Sequence, residues 1–159
     1  MAFRLSATGR QAVNSGGLSD LFDGSGNNLN IVFKGGAVPA DPDTVSGGTT
    51  IATLAAADEG ASNVNGSYAD PSDNATQSDA AIRSNVTGNA VADYDYSDGG
   101  NGPGHAEIFV GTGRTSADKV GDFTVDGTDN GGDFNWPSDT IANGTLLTVT
   151  ALTLRQPQT

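Results

Sequence analysis

Two apolar runs separated by a turn-rich segment dominate the first half of the chain: "IVFKGGAVPADPDTVSGGTTIATL", residues 31–54. The flanking runs, LNIVFK (29–34) and TTIATLAA (49–56), are rich in apolar and β-branched residues, which is typical of strands. The segment between them is made mostly of Gly, Pro, Asp, Ser and Thr, which favour turns. We therefore predict two β-strands joined by a connection whose tip, DPDTVSGG (41–48), suits an exposed edge.

The composition extends this prediction to the whole chain. Its 159 residues are only 35% hydrophobic and include 23 glycines, so the core must be thin and the connections many. Sheets joined by turns suit such a composition better than packed helices do, and good helix formers are scarce. A chain of this length suits one domain. We predict a mainly β fold.

The second half of the chain contains further strand patterns. NAVADYDY (89–96) alternates, with its alanines and tyrosines on one face and Asp93 and Asp95 on the other, as expected for a half-buried strand. Further strands are predicted at HAEIFVG (105–111) and DFTVD (122–126). Strands recurring between Gly-rich turns favour an antiparallel sandwich or a jelly-roll-like barrel.

The last strand pattern, TLLTVTALTL (145–154), changes its periodicity in the middle. Leu147 and Val149 share one face, but the two leucines of the second half have the opposite parity. A flat, continuous strand would send one of these pairs to the wrong side of the sheet. We therefore predict a bulge or bend near Thr150 or Ala151.

The chain divides into an N-terminal segment and a β domain. Residues 1–22 are interrupted by glycines and predict an arm or a short helix, whereas residues 23–159 predict a single β domain. Within that domain, residues 58–79 are polar and predict a long loop.

The charge is strongly one-sided. The formal net charge is −12, so phosphate backbones and anionic membrane surfaces would be repelled, and we predict no nucleic-acid or membrane partner. Residues 1–19 carry Arg4 and Arg10 and no acid, which makes the start of the chain its one basic end. The chain contains no cysteine, which excludes disulfides and thiolate metal sites.

No catalytic pattern is visible. A serine nucleophile needs a histidine base, and the single histidine, His105, follows a Gly-rich turn with no Gly-x-Ser-x-Gly motif in the chain. The segment GTGRTS (111–116) lacks the third glycine of a dinucleotide-binding motif, so it predicts a plain turn. We predict no catalytic residue and no cofactor, and we expect the chain not to be an enzyme.

The abundant carboxylates do not define a metal site. Residues 126–133, DGTDNGGD, begin like a calcium loop, but the twelfth position is Pro137 where a bidentate Glu should stand. Asp41 and Asp43 could meet a cation, but their spacing does not define one. We predict turns and no metal at both places, with cation binding as the minor alternative. A carboxylate-dependent hydrolase is the least favoured function because no pair of acids is placed for it.

Three pieces of the chain resemble a family of small structural proteins encoded by tailed bacteriophages. Members run from a basic, weakly helical start into a strand, a "GxxP" turn and a "GTxLATL" strand, and they end on a "GD...IxxGxxVxVxxLTL" element. The corresponding pieces are Gly36 with Pro39, residues 48–54 and residues 132–154. The chain departs from the family pattern before the turn, where Phe33-Lys34 replaces an aromatic-Ser or Tyr-Ser pair.

The resemblance implies a virion protein, assembled in the host cytoplasm, and favours a decoration or cement protein on the outer head shell. The expected partners are the major capsid protein and sister subunits, as a homo-oligomer with a trimer favoured. We expect the basic N-terminal end to make these contacts. The predicted contact residues are Phe3, Arg4, Leu5 and Arg10. The alternative is a tail or fibre-associated receptor-binding module, binding around Trp136 and the tyrosines.

Overall fold

The computed structural model describes residues 4–15, 29–56, 68–69, 77–82, 86–95, 104–126, 133–136, 138–150 and 152–157. The elements in chain order are β1 (Arg4–Leu5), α1 (Ala7–Ser15), β2 (Leu29–Lys34), β3 (Thr50–Ala56), β4 (Tyr68–Ala69), β5 (Gln77–Ile82), β6 (Val86–Asn89), β7 (Tyr94–Asp95), β8 (His105–Val110), β9 (Lys119–Asp126), β10 (Phe134–Asn135), β11 (Thr140–Ile141), β12 (Leu146–Val149) and β13 (Thr153–Pro157). None of the described helices is long and apolar enough to cross a membrane.

One large antiparallel sheet organises the fold. Its strand order is β1-β9-β8-β2-β3-β6-β12, and β10 pairs in parallel with β9. Two small sheets, β11-β7 and β13-β5-β4, accompany it. The predicted mainly β fold with a short N-terminal helix is confirmed, and the arrangement is sandwich-like, not a closed barrel.

Alternation along the central strands places the hydrophobic core on one face of the large sheet. In β2, Leu29, Ile31 and Phe33 point to this face, where Ile31 lies opposite Ile108 of β8. Ile141 of β11 joins the same core, which ties a small sheet to the large one. The buried residues of this core are Leu5, Leu29, Ile31, Phe33, Ile51, Ala52, Leu54, Val86, Ala90, Tyr94, Ala106, Ile108, Val120, Phe123, Val125, Ile141, Leu147 and Val149.

Where the sequence predicts a bulge or bend, near Thr150 or Ala151, the strand ends; Ala151 itself lies outside the described residues. β12 ends at Val149 and pairs with β6 in the large sheet, whereas β13 begins at Thr153 and pairs with β5 in another sheet. The change of parity in the sequence therefore marks the point where the chain leaves one sheet for the next.

The prediction of one continuous strand over residues 89–96 is wrong. β6 ends at Asn89 and β7 begins only at Tyr94, with a bend between them. Ala90 and Tyr94 are buried as the alternation predicted, and Val91, which has the opposite parity, is exposed. The backbone of Val91 bonds to Ile51 (2.7 Å), and from there the chain turns out of the large sheet into the β11-β7 pair.

Part of the predicted loop at residues 58–79 is strand. β4 lies within it, and β5 begins at Gln77 and pairs with both β4 and β13. The remaining residues of that prediction lie outside the described ranges. Similarly, residues 1–3 and 16–22 of the predicted N-terminal segment are outside them.

Residues 4–15 pack against β9. Arg4 and Leu5 pair with Asp122 and Gly121, and Ser6 N donates to Val120 O (3.0 Å). A Cβ atom at Gly9 would stand 2.3 Å from Val120 O, so only glycine allows α1 to approach β9 this closely. Arg4 and Leu5 are thus part of the large sheet.

Candidate functional site

The face of the large sheet opposite the core carries buried charges. Glu107 of β8 lies directly opposite Asp122 of β9, and both point away from the core because their neighbours, Ala106 and Phe123, point into it. Two acids directly opposite each other repel. Lys119 lies between them, and the side chains of all three residues are 0% exposed.

A β-bulge makes this arrangement possible. In a regular strand, residues three positions apart point to opposite faces, so Lys119 and Asp122 would be separated. The register of β8 and β9 shifts between Ile108 and Phe109, which places the extra residue in β9 and brings Lys119 onto the face of Asp122.

Two cations and two carboxylates alternate in what we call the charge cluster, which consists of Glu107, Lys119, Asp122 and Arg4. Lys119 Nζ lies 2.8 Å from Glu107 Oε1 and 2.7 Å from Asp122 Oδ1. Arg4 Nη2 donates to Asp122 Oδ2 at 2.9 Å. Each carboxylate therefore has a cation beside it, as burial of charge requires.

The connection between β2 and β3, residues 35–49, folds over the charge cluster, and we call it the strap. Its backbone supplies carbonyls to the cations: Lys119 Nζ donates to Thr44 O, and Arg4 Nη2 donates to Pro39 O (2.6 Å). Ser46 N in turn donates to Glu107 Oε1 (2.8 Å). The segment DPDTVSGG is a strand connection, as predicted, but it lies across a sheet face and is fastened there by charge.

Both aspartates of the strap accept hydrogen bonds from backbone N–H groups. Asp43 Oδ1 accepts from Ala7 N, and its other oxygen lies 3.5 Å from Arg10 Nη2. Asp41 Oδ1 accepts from Asp43 N (2.9 Å), closing a turn. No cluster of His, Cys, Asp or Glu that could hold a metal ion occurs in the described ranges.

His105 lies buried at the start of β8, beside the charge cluster. Its Nδ1 donates to Gly36 O of the strap (3.0 Å), so the neutral ring leaves Nε2 without a proton. Within the described part of the chain, Nε2 has no hydrogen-bond partner. Burial lowers the pKa of His105 below its usual value, although the Gly36 carbonyl and the nearby carboxylates act in the opposite direction.

Burial also shifts Asp122. Loss of solvent raises the pKa of its carboxyl, while Lys119 and Arg4 pull that pKa down. The opposite shifts of His105 and Asp122 share one cause, because both side chains are removed from water. The ion pairs and hydrogen bonds of the charge cluster attach the strap and β1 to the large sheet.

The predicted contact residues differ in how accessible they are. Arg4 is bound to Asp122 and to the strap, and Leu5 belongs to the core. Arg10 bonds to Leu5 O (2.8 Å), yet its side chain remains 53% exposed. Phe3 lies outside the described residues. A role in partner contact stays a prediction, and Arg10 is the described residue best placed for it.

A groove of about 410 Å³ runs along β12. Consecutive residues of β12 line it, so the groove follows the edge of the strand and not one of its faces. Its lining residues are Phe134, Trp136, Ser138, Thr140, Ile141, Thr145, Leu146, Leu147, Thr148, Val149 and Thr150. None of these carries a charge, although the chain has a net charge of −12.

Trp136 forms part of the wall facing β12. Its ring packs against Phe33 with centroids 4.8 Å apart, and Phe33 also meets Phe134 edge to face at 5.6 Å. This packing ties the wall of the groove to the core of the large sheet. Leu146, on β12, is 64% exposed.

The calcium-like segment falls largely outside the described residues, which include only Asp126 and Asp133 of it. Asp133 Oδ2 accepts from Thr124 N (3.0 Å) and from the Thr124 hydroxyl (2.8 Å), so that carboxylate is engaged by β9. The GTGRTS segment is a turn between β8 and β9, as predicted, with Gly111 (φ 74°) and Arg114 (φ 52°) at positive φ.

Comparison with known proteins gives no relative: no family model, curated protein or solved structure matches the chain.

Neither the charge cluster nor the groove is predicted from the sequence. An acid inside HAEIFV is the one visible signal, because Glu107 interrupts an otherwise apolar run. Its pairing with Lys119 depends on the bulge in β9, which the sequence marks only by the change of parity between Val120 and Phe123, with Gly121 between them. The uncharged run TLLTVT predicts a strand, but nothing in it indicates that β12 lies at the edge of the large sheet.

Proposed function

We propose that the protein is a structural component of a bacteriophage virion, a decoration (cement) protein on the outer head shell that contacts the major capsid protein and sister subunits. The observation that supports this best is the uncharged groove along β12, bordered by the exposed Leu146. An uncharged surface of this kind suits contact with another protein, whereas the remaining strongly acidic body suits solvent.

The charge cluster fits the same role. It attaches β1 and the strap to the large sheet. A protein that binds only the assembled shell stabilises that shell by mass action, and modest contacts repeated by symmetry are sufficient. This proposal also rests on the likeness of three sequence pieces to phage structural proteins.

The experiment is co-sedimentation of the purified chain with assembled shells of the phage that encodes it, beside free capsid protein at the same concentration. We expect binding to shells and not to free capsid subunits, with the protein distributed over the whole head in electron micrographs. Equal binding to free subunits, or no binding to shells, would refute the proposal.

A second candidate is a tail or fibre-associated receptor-binding module. The observation that favours it is Trp136, which lines the groove together with the hydroxyls of Ser138, Thr140 and Thr148. An aromatic ring with nearby hydroxyl groups suits a sugar. Localisation of the protein at the tail or at a single vertex, together with glycan binding, would support this candidate over the first.

A further inference from the structure

The two edges of the large sheet differ in the strands that pair there. At one edge, β1 and β10 both pair with β9. At the other edge, β12 pairs with β6, and the described ranges contain no strand on its outer side. Such an edge presents unpaired backbone N–H and C=O groups to a partner.

The backbone groups that face outward can be assigned. Thr145 O accepts from Ala90 N (2.8 Å), so the backbone of Thr145 points toward the β6 side. Antiparallel pairing alternates between inward and outward residues along a strand. The N–H and C=O groups of Leu146 and Thr148 therefore point to the free side, along the groove.

β12 also lacks the features that keep an exposed edge from pairing. Natural sheets protect their edges with charged residues, prolines or bulges, or with a covering element. TLLTVT (145–150) contains no charge and no proline, and the register of β12 with β6 is regular. An edge of this kind is expected to be covered in the working protein.

The groove restricts what can cover the edge. It has β12 as one wall and the 134–141 segment, with Trp136, as the other, so a single extended strand fits between them better than the edge of a folded domain. Its described lining residues carry no charge, so a charged side chain buried in the groove would find no partner among them. A second copy would present its own β12 edge as part of a folded domain, which fits the groove less well than a single extended strand does.

We propose that the free edge of β12 binds an extended, uncharged segment of a different protein, which adds to the large sheet as a further strand with side chains in the groove. This deepens the proposed function, because the shell protein would supply the segment. Main-chain hydrogen bonds would provide affinity, and the groove would select uncharged side chains.

Trp136 provides the measurement. It is the only tryptophan of the chain and it lines the groove, so its fluorescence reports occupancy directly. The probe is a synthetic peptide, KKTVTLTVTKK, whose lysines serve only for solubility. The control peptide, KKTVPLPVTKK, keeps the charge but cannot complete a strand ladder. We expect a saturable blue shift and reduced acrylamide quenching with the first peptide alone.

Three variants test the position of binding. Thr148→Pro removes an outward N–H without touching the ladder to β6, and edge strands tolerate such a proline. Leu146→Glu adds a charge at the groove, and its matched control is Val91→Glu, since Val91 is similarly exposed (60%, against 64% for Leu146). We expect at least tenfold weaker peptide binding for the first two and unchanged binding for the control.

The outcomes separate this inference from the proposed function. The inference is overturned by equal shifts with both peptides, by a shift with an oligosaccharide such as maltoheptaose in place of the peptide, or by a concentration-dependent dimer that Thr148→Pro abolishes. Shell binding that survives Thr148→Pro and Leu146→Glu also overturns it, while leaving the decoration role intact. If the protein bound the peptide but did not bind shells, the decoration role alone would be refuted.

Discussion

Both faces of the large sheet are buried at β8 and β9, but different interactions hold them. On one face, apolar side chains such as Ile31 and Ile108 pack through contacts whose strength does not depend on direction. On the other, Glu107, Lys119 and Asp122 are equally buried, yet each depends on a partner at a fixed distance. An apolar face tolerates a change of shape, whereas a charged face cannot tolerate the loss of one charge.

The largest effect is expected from Lys119→Met, which removes the cation between Glu107 and Asp122 and leaves Arg4, on Asp122, as the one cation of the charge cluster. Breaking a buried ion pair in this way costs about 3–5 kcal/mol of unfolding free energy. The measurement is urea unfolding followed by Trp136 fluorescence. The matched control is Lys34→Met on the same face, since Lys34 Nζ donates to Ser46 O (3.1 Å) and no carboxylate lies within ion-pair distance among the described residues. A cost for Lys119→Met no greater than that of the control would contradict the role of the charge cluster.

The apolar face could largely be predicted from the sequence, and the charged face could not. Local patterns suffice for β2, β3 and β8, because alternation and β-branched residues are written in each segment. The break after Val149 was likewise visible as a change of parity. The charge cluster joins Arg4, Glu107 and Asp122, which are far apart in sequence, and it depends on strand order and on a bulge. The prediction of one strand over residues 89–96 was wrong for a related reason. Ala90 and Tyr94 keep the predicted parity, but the chain between them turns toward a different sheet.

A smaller effect is expected on the apolar face. Ile108→Val removes one buried methylene from the core and should cost about 0.5–1.5 kcal/mol. Loss of one methylene at an exposed site, in Leu146→Val, should alter the unfolding free energy far less because Leu146 faces solvent. If Ile108→Val cost as much as Lys119→Met in the same urea titration, the contrast between the two faces would fail.

A pH-dependent effect is expected from His105, because its pKa is lowered in the folded protein by burial. Below the usual pKa of histidine the unfolded chain binds a proton that the folded chain does not, so stability is present above that value and is lost as the pH falls. His105→Gln can keep a donor for Gly36 O and should flatten the loss between pH 7 and pH 5.5, by no more than one proton's contribution. Asp122 acts in the opposite direction, since its raised pKa makes its contribution greatest at low pH. Comparing the variant with the wild type at each pH isolates His105, and parallel curves would refute the assignment.

The smallest effect on stability is expected from Arg10→Ala. The Arg10–Asp43 pair is long (3.5 Å) and its side chains are 53% and 40% exposed, so solvent and salt screen it and its loss should cost no more than about 0.5 kcal/mol. Arg4→Ala provides the contrast, because Arg4 binds the wholly buried Asp122 and should cost clearly more in the same urea titration. If the basic N-terminal end contacts the shell, Arg10→Ala should also reduce shell occupancy at low salt, and the reduction should fade at high salt. Arg10→Ala separates the effect on shell binding from the effect on stability. The Arg10 side chain is exposed enough to contact a partner and too exposed to contribute much to the unfolding free energy. Full shell occupancy at low salt with unchanged stability would remove Arg10 from the predicted contact and leave the β12 edge as the surface to pursue.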